Sequence, residues 1–161
     1  MTLKTTLLAA AAAVGLSLCA AGAAAAQSGP IPAGGVTVEE MVRFLQNKGF
    51  KAEVKSGSSG RYIASASSGV NFDVYFYDCK GARCASVQFS SGFDLTNGTT
   101  LSVVNSWNRE KRYLKAYMDS ENDPYVQYDA NTSPARTWEG LADDFGVWTS
   151  TLPMFTQHIN W

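Results

Sequence analysis

Few residues in this chain have the type and spacing to do chemistry. Cys79 and Cys84 flank Lys80-Gly81-Ala82-Arg83 between two strand-like runs, so a hairpin sets them face to face. Opposed strand positions bring Cβ atoms to about the separation that a disulfide needs. A metal site would need nearby His or Cys to complete its ligands, and a redox pair more often has two residues between its thiols. The spacing therefore predicts a structural disulfide, whose short loop contributes only about 2 kcal/mol.

Asp119, Glu121 and Asp123 alternate as in a calcium loop, but Pro124 stands where that loop needs Gly and Ala130 where it needs Glu. They read as a solvated hairpin turn. His158, the only histidine, lies near the C-terminus with no nucleophile close to it in sequence, and is expected on the solvated surface. Asp143 and Asp144 fall early in the last helix, where negative charge is favourable or simply exposed. No glycine-rich phosphate loop, zinc spacing or nucleophile elbow occurs. No catalytic, cofactor or metal residue is assigned, and no cofactor is expected. Paired carboxylates need no signature, so a small periplasmic hydrolase stands as the alternative to a non-catalytic binding module.

The elements that would position these residues begin after an export signal. Lys4, the apolar run Leu7 to Leu18 and the small residues Ala24-Ala25-Ala26 predict a signal peptide over residues 1–26, cleaved after Ala26, and hence a periplasmic or secreted protein. A membrane anchor that stays attached is the other reading of that run. Cys19 is preceded by Leu18, where lipidation needs a small residue. The 13 Lys+Arg against 14 Asp+Glu form no long run, so neither nucleic acid nor anionic membrane is implied as a partner. Beyond Val36 no apolar stretch is long enough to span a membrane.

Residues 27–36, rich in Gly, Pro and Ser, read as a flexible leader. Thr37 and Glu40 form a capping box for a helix from about Val38 to Lys48, stopped by Gly49. Four strands follow: one carrying Phe50, Ala52 and Val54 as a half-buried set, then Arg61 to Ala66, Val70 to Tyr77 and Ala85 to Ser90. Thr99 or Thr100 caps a second helix through Leu101, Val104 and Trp107. A hairpin pairs the strand of Leu114, Ala116 and Met118 with Tyr125 to Asp129. A closing amphipathic helix starts at Thr137 and is expected to bend or end at Pro153. The order α-β-β-β-β-α-β-β-α favours an α+β domain with helices on one face of an antiparallel sheet.

Alternation then places Tyr75, Tyr77, Tyr113 and Tyr117 opposite Phe72, Val74, Phe76, Leu114 and Met118, with Asp73 and Lys115 beside them. Tyrosine joins a large apolar area to a polar tip, which suits recognition. It is also a good strand former that simply covers a sheet. As a recognition face, this surface is expected to take a protein partner, or a second copy of the chain in a homodimer.

The stretch VNSWNREKRYLKAYMDSENDPYVQYD resembles the YbjN-like domain family of bacterial sensory transduction regulators. Asn105, Trp107, Asn108, Arg112, Tyr113, Ala116, Tyr117, Asp119, Pro124 and Asp129 carry the likeness. The paired cysteines, the helix ending in Gly49-Phe50 and the last helix with Leu141 and Trp148 also fit, so one such domain is expected over residues 37–161. The resemblance implies an α+β fold similar to type III secretion chaperones, and a role in binding instead of a reaction. The chain departs from the family where many members have Gly-Gly and it has Ser133-Pro134-Ala135. Much of the family carries no export signal.

Overall fold

The computed structural model describes residues 27–161; the expected export signal lies outside the described residues. In chain order the elements are α1 (Val38–Asn47), β1 (Glu53–Gly57), β2 (Gly60–Ser67), β3 (Val70–Lys80), β4 (Arg83–Gly92), α2 (Leu101–Glu110), β5 (Lys115–Met118), β6 (Pro124–Asn131) and α3 (Trp138–His158). The fold is α+β, in the order expected. The six strands make one antiparallel sheet, β1-β2-β3-β4-β6-β5.

Side-chain alternation decides which face the helices cover. In β3, Val70, Phe72 and Val74 are buried, and their neighbours point the other way. Ile63, Val87, Phe89, Ala116 and Val126 continue the apolar face across the sheet. α3 closes that face with Leu141, Phe145, Trp148, Leu152 and Phe155, a stripe at three- and four-residue steps. Trp148 stacks on Phe89 at 5.9 Å and meets Phe72 edge-on at 5.6 Å. Such rings bury the largest apolar areas in a core and add directional contacts of about 1 kcal/mol each.

Four expectations need correcting. β1 is exposed along its length as an edge strand, and Val54, 39% exposed, finds no place in the core. Phe50, just before it, does: it packs edge-on against Phe145 at 4.9 Å. Leu101 is 66% exposed at the first turn of α2, so only Val104 and Trp107 hold that helix to the core.

α3 runs through Pro153 to His158 without ending. An interior proline costs about 3 kcal/mol. Burial of Leu152 and Phe155 on either side contributes about 1.5–3 kcal/mol each, enough to hold the helix together.

The segment 27–36, expected as a flexible leader, is fastened to the domain. Val36 and Cys84 exchange both backbone hydrogen bonds, at 3.1 and 2.8 Å. Ile31 donates to the Arg136 carbonyl at 2.8 Å, and Trp138 donates to that of Gly29 at 2.9 Å. Ile31 and Val36 are buried. The guanidinium of Arg83 donates to the Gly35 carbonyl at 2.6 Å and pairs with Glu40. Gly35 itself is required: its φ is +96°, and a Cβ there would lie 1.9 Å from the Cys84 carbonyl oxygen. At the break before α3, Ala135 takes φ +52°, a left-handed conformation that glycine adopts more easily than alanine.

Candidate functional site

The face away from the helices is built by strand register. Tyr75 on β3 lies opposite Gln88 on β4, and Gln88 opposite Asp129 on β6. One step along, Asp73 faces Ser90 and Ser90 faces Gln127, which in turn faces Lys115 on β5. Tyr117 pairs with Tyr125 at the far side. The outcome is a cleft of about 320 Å³ walled by Tyr75 and Tyr77 on one flank and Tyr117 and Tyr125 on the other, with Gln88, Ser90 and Gln127 as floor. A second cleft of about 250 Å³, lined by Tyr62, Tyr75 and the β1–β2 turn, shares Ser59 and Tyr75 with the first.

Ring stacking holds the walls. Tyr62 and Tyr75 stack at 5.4 Å, and Tyr117 and Tyr125 at 5.3 Å. Tyr125 lies across the backbone of Gly92, where a Cβ would come within 2.5 Å of its ring. The floor is held by hydrogen bonds. The Gln88 amide donates to Asp129 at 2.7 Å and accepts from Tyr77 at 3.4 Å. Gln127 donates to the Tyr117 hydroxyl at 3.1 Å and to Ser90 at 3.4 Å. Tyr75 donates to Asp73 at 3.0 Å. Burial, reinforced by the hydrogen bond to Asp73, raises the Tyr75 phenol well above its ordinary pKa, and burial raises that of Tyr117. Tyr75 and Tyr117 are therefore neutral phenols at physiological pH. Burial also raises the Asp73 carboxyl, against the opposing hydrogen bond from Tyr75.

Three of the four expected tyrosines meet here, and Tyr113 does not. Leu114 has φ +63°, which breaks the strand alternation just before β5 begins. The Tyr113 ring instead lies 6.3 Å from Tyr128, whose hydroxyl donates to Asp144 of α3 at 2.9 Å on the helix side. Burial and that bond push Tyr128 up to about 12. Tyr62 and Tyr125 were missed as members of the face. Both alternate with inward residues, Ile63 and Val126, and that signal was present in the sequence.

The other reactive groups have structural partners. Cys79 and Cys84 oppose each other in register and form a disulfide. Asp119 accepts the backbone N–H groups of Glu121 and Asp123, both at 2.9 Å, and so shapes the turn it was expected only to decorate. His158 is half-buried, not solvated: Ser106 lies 3.1 Å from its Nε2, a contact between α2 and the end of α3. That nitrogen also lies 2.9 Å from the Val103 carbonyl, which can only accept, so Nε2 carries the proton. The Ser106 hydroxyl donates to the same carbonyl at 2.8 Å. A protonated Nε2 cannot take a proton from Ser106, and the pair is a helix lock, not a nucleophile with its base. Asp144 accepts from Tyr128 and pairs with Arg136. Among the described residues, no three His, Cys, Asp or Glu side chains are grouped to hold a metal ion.

The stretch that carries the resemblance holds β5 in place. The Trp107 indole donates to the Leu114 carbonyl at 2.7 Å. Asn108 accepts from the Ala116 N–H at 2.9 Å and donates to the Ala116 carbonyl at 3.0 Å. These contacts define an α+β domain with helices on one face and a tyrosine-walled cleft on the other. Residues 37–161 match the YbjN family model, described as "putative bacterial sensory transduction regulator", and the chain belongs to that family. No curated protein matches the chain.

Proposed function

We propose that this chain is an exported, non-catalytic binding and regulatory module whose recognition site is the tyrosine-walled cleft. One observation carries the reading: two stacked tyrosine pairs stand on the helix-free face around hydrogen-bonded amides. Rings braced by their neighbours and amides held by partners lose little freedom when a ligand arrives. The carboxylates nearest the cleft, Asp73 and Asp129, lie beside its lining and are engaged by Tyr75 and Gln88. That arrangement favours binding over the hydrolase alternative. Membership of a family of sensory transduction regulators supports a regulatory output.

The test replaces Tyr75 and Tyr117 together by alanine, with Tyr113→Ala as a control on the other face. The double variant is expected to keep the far-UV circular dichroism of the native chain and to lose what the native protein captures from an envelope extract; Tyr113→Ala keeps it. Self-association, followed by sedimentation, shows whether the captured partner is a second copy. A folded double variant that captures as the native protein does would sink the reading.

A further inference from the structure

We propose that the cleft binds an uncharged oligosaccharide, an inference that rests on reading the cleft as the binding site. No residue lining it or the adjoining cleft carries a formal charge, and none is aliphatic; the lining is Tyr, Gln, Ser and Gly alone. An anionic ligand such as a phosphate is held best by a fixed cation, and this lining offers none. A pyranose ring needs something else. Its C–H faces stack on aromatic rings, and its hydroxyls need groups that both donate and accept, as Gln, Ser and Tyr side chains do.

Size points the same way. A cleft of about 320 Å³ falls at the small end of ligand sites, which run from about 300 to 1,000 Å³. A stable protein interface buries about 800 Å² on each partner, far more than such a cleft presents. The neighbouring cleft of about 250 Å³ meets the first at Ser59 and Tyr75, so one sugar chain can run from the first cleft into the second. The floor is prepared as well. Gln88 is fixed between Asp129 and Tyr77, and Gln127 between Tyr117 and Ser90, so each amide is already oriented.

The experiment titrates the exported protein with cellotetraose, chitotetraose and maltotetraose, following side-chain amide and tyrosine signals by NMR. At least one is expected to give saturable shifts at Gln88 and Gln127, and a tetragalacturonate of similar length to bind more weakly for its charge. Tyr125→Ala and Gln127→Ala, each checked for folding by circular dichroism, should lower the affinity about tenfold, in line with the loss of one ring or one oriented amide. Tyr113→Ala should leave it unchanged. If none of the three neutral sugars shifts these signals, the inference falls. The binding reading survives that result where the Tyr75→Ala, Tyr117→Ala protein still loses a captured partner, and falls with it where capture is unaltered.

Discussion

Asn108 shows how much one side chain can fix. Its amide oxygen takes the Ala116 N–H and its amide nitrogen gives to the Ala116 carbonyl, so a single residue on α2 stands in for a missing strand beside β5. Asn108→Asp keeps the shape and the first bond but replaces the donor with a second acceptor, set against the Ala116 carbonyl. The change is expected to lower stability by about 1–2 kcal/mol at neutral pH, measured by urea denaturation with an unchanged m value. An unaltered midpoint would contradict the role assigned here. Individual residues were legible only where local pattern controls them. The opposed cysteines followed from spacing alone. The contact of Ser106 with His158 joins positions 52 residues apart, which no local pattern reports. Tyr113 escaped because a single positive φ at Leu114 ends the alternation on which its placement depended.

At the scale of elements, strong periodicity translated into structure and weak periodicity did not. Val70, Phe72 and Val74 announce β3, and Leu141, Phe145 and Trp148 announce α3, because each pattern repeats over several turns or pleats. Ile31 and Val36 are two buried residues in a run of Gly, Pro and Ser, too sparse to show a period, so the strap they form was invisible. The strap also defines a sharp test. Gly35→Ala forces a Cβ into the Cys84 carbonyl at a φ that disfavours alanine. The substitution is expected to cost more than about 2 kcal/mol and to open residues 27–36 to limited proteolysis while β2 to β4 stay protected. A variant as stable and as resistant as the native chain would show that the strap bears no load.

Over the whole molecule, the division of labour between sheet faces was legible in outline, and the cleft was not. Composition and element order predict helices on one side. The depth of the cleft depends on cross-strand register, on the stacked pairs and on the room that Gly92 leaves for Tyr125, none of which a single strand displays. The expected export signal and the disulfide make a joint prediction at this scale, since disulfides persist in oxidising compartments. The mature protein is expected in the periplasmic or secreted fraction, beginning at Gln27, with neither Cys79 nor Cys84 open to thiol labelling after denaturation without reductant. N-terminal sequencing that finds Met1 retained on a cytosolic protein would overturn it.

The closure of β5 by Asn108 also limits how copies of this chain join through their sheets. One face is filled by helices, so a sheet can lengthen only sideways, and at β5 the Ala116 groups are already taken. That leaves β1, exposed throughout and bordered by the ion-paired Lys51, Glu53 and Lys55, charges of the kind that discourage strand pairing. A sheet with one open edge among the described residues can add a neighbour there once. Two copies meeting β1 to β1 would leave no edge for a third, so edge pairing ends in a closed two-fold pair and never in a fibre.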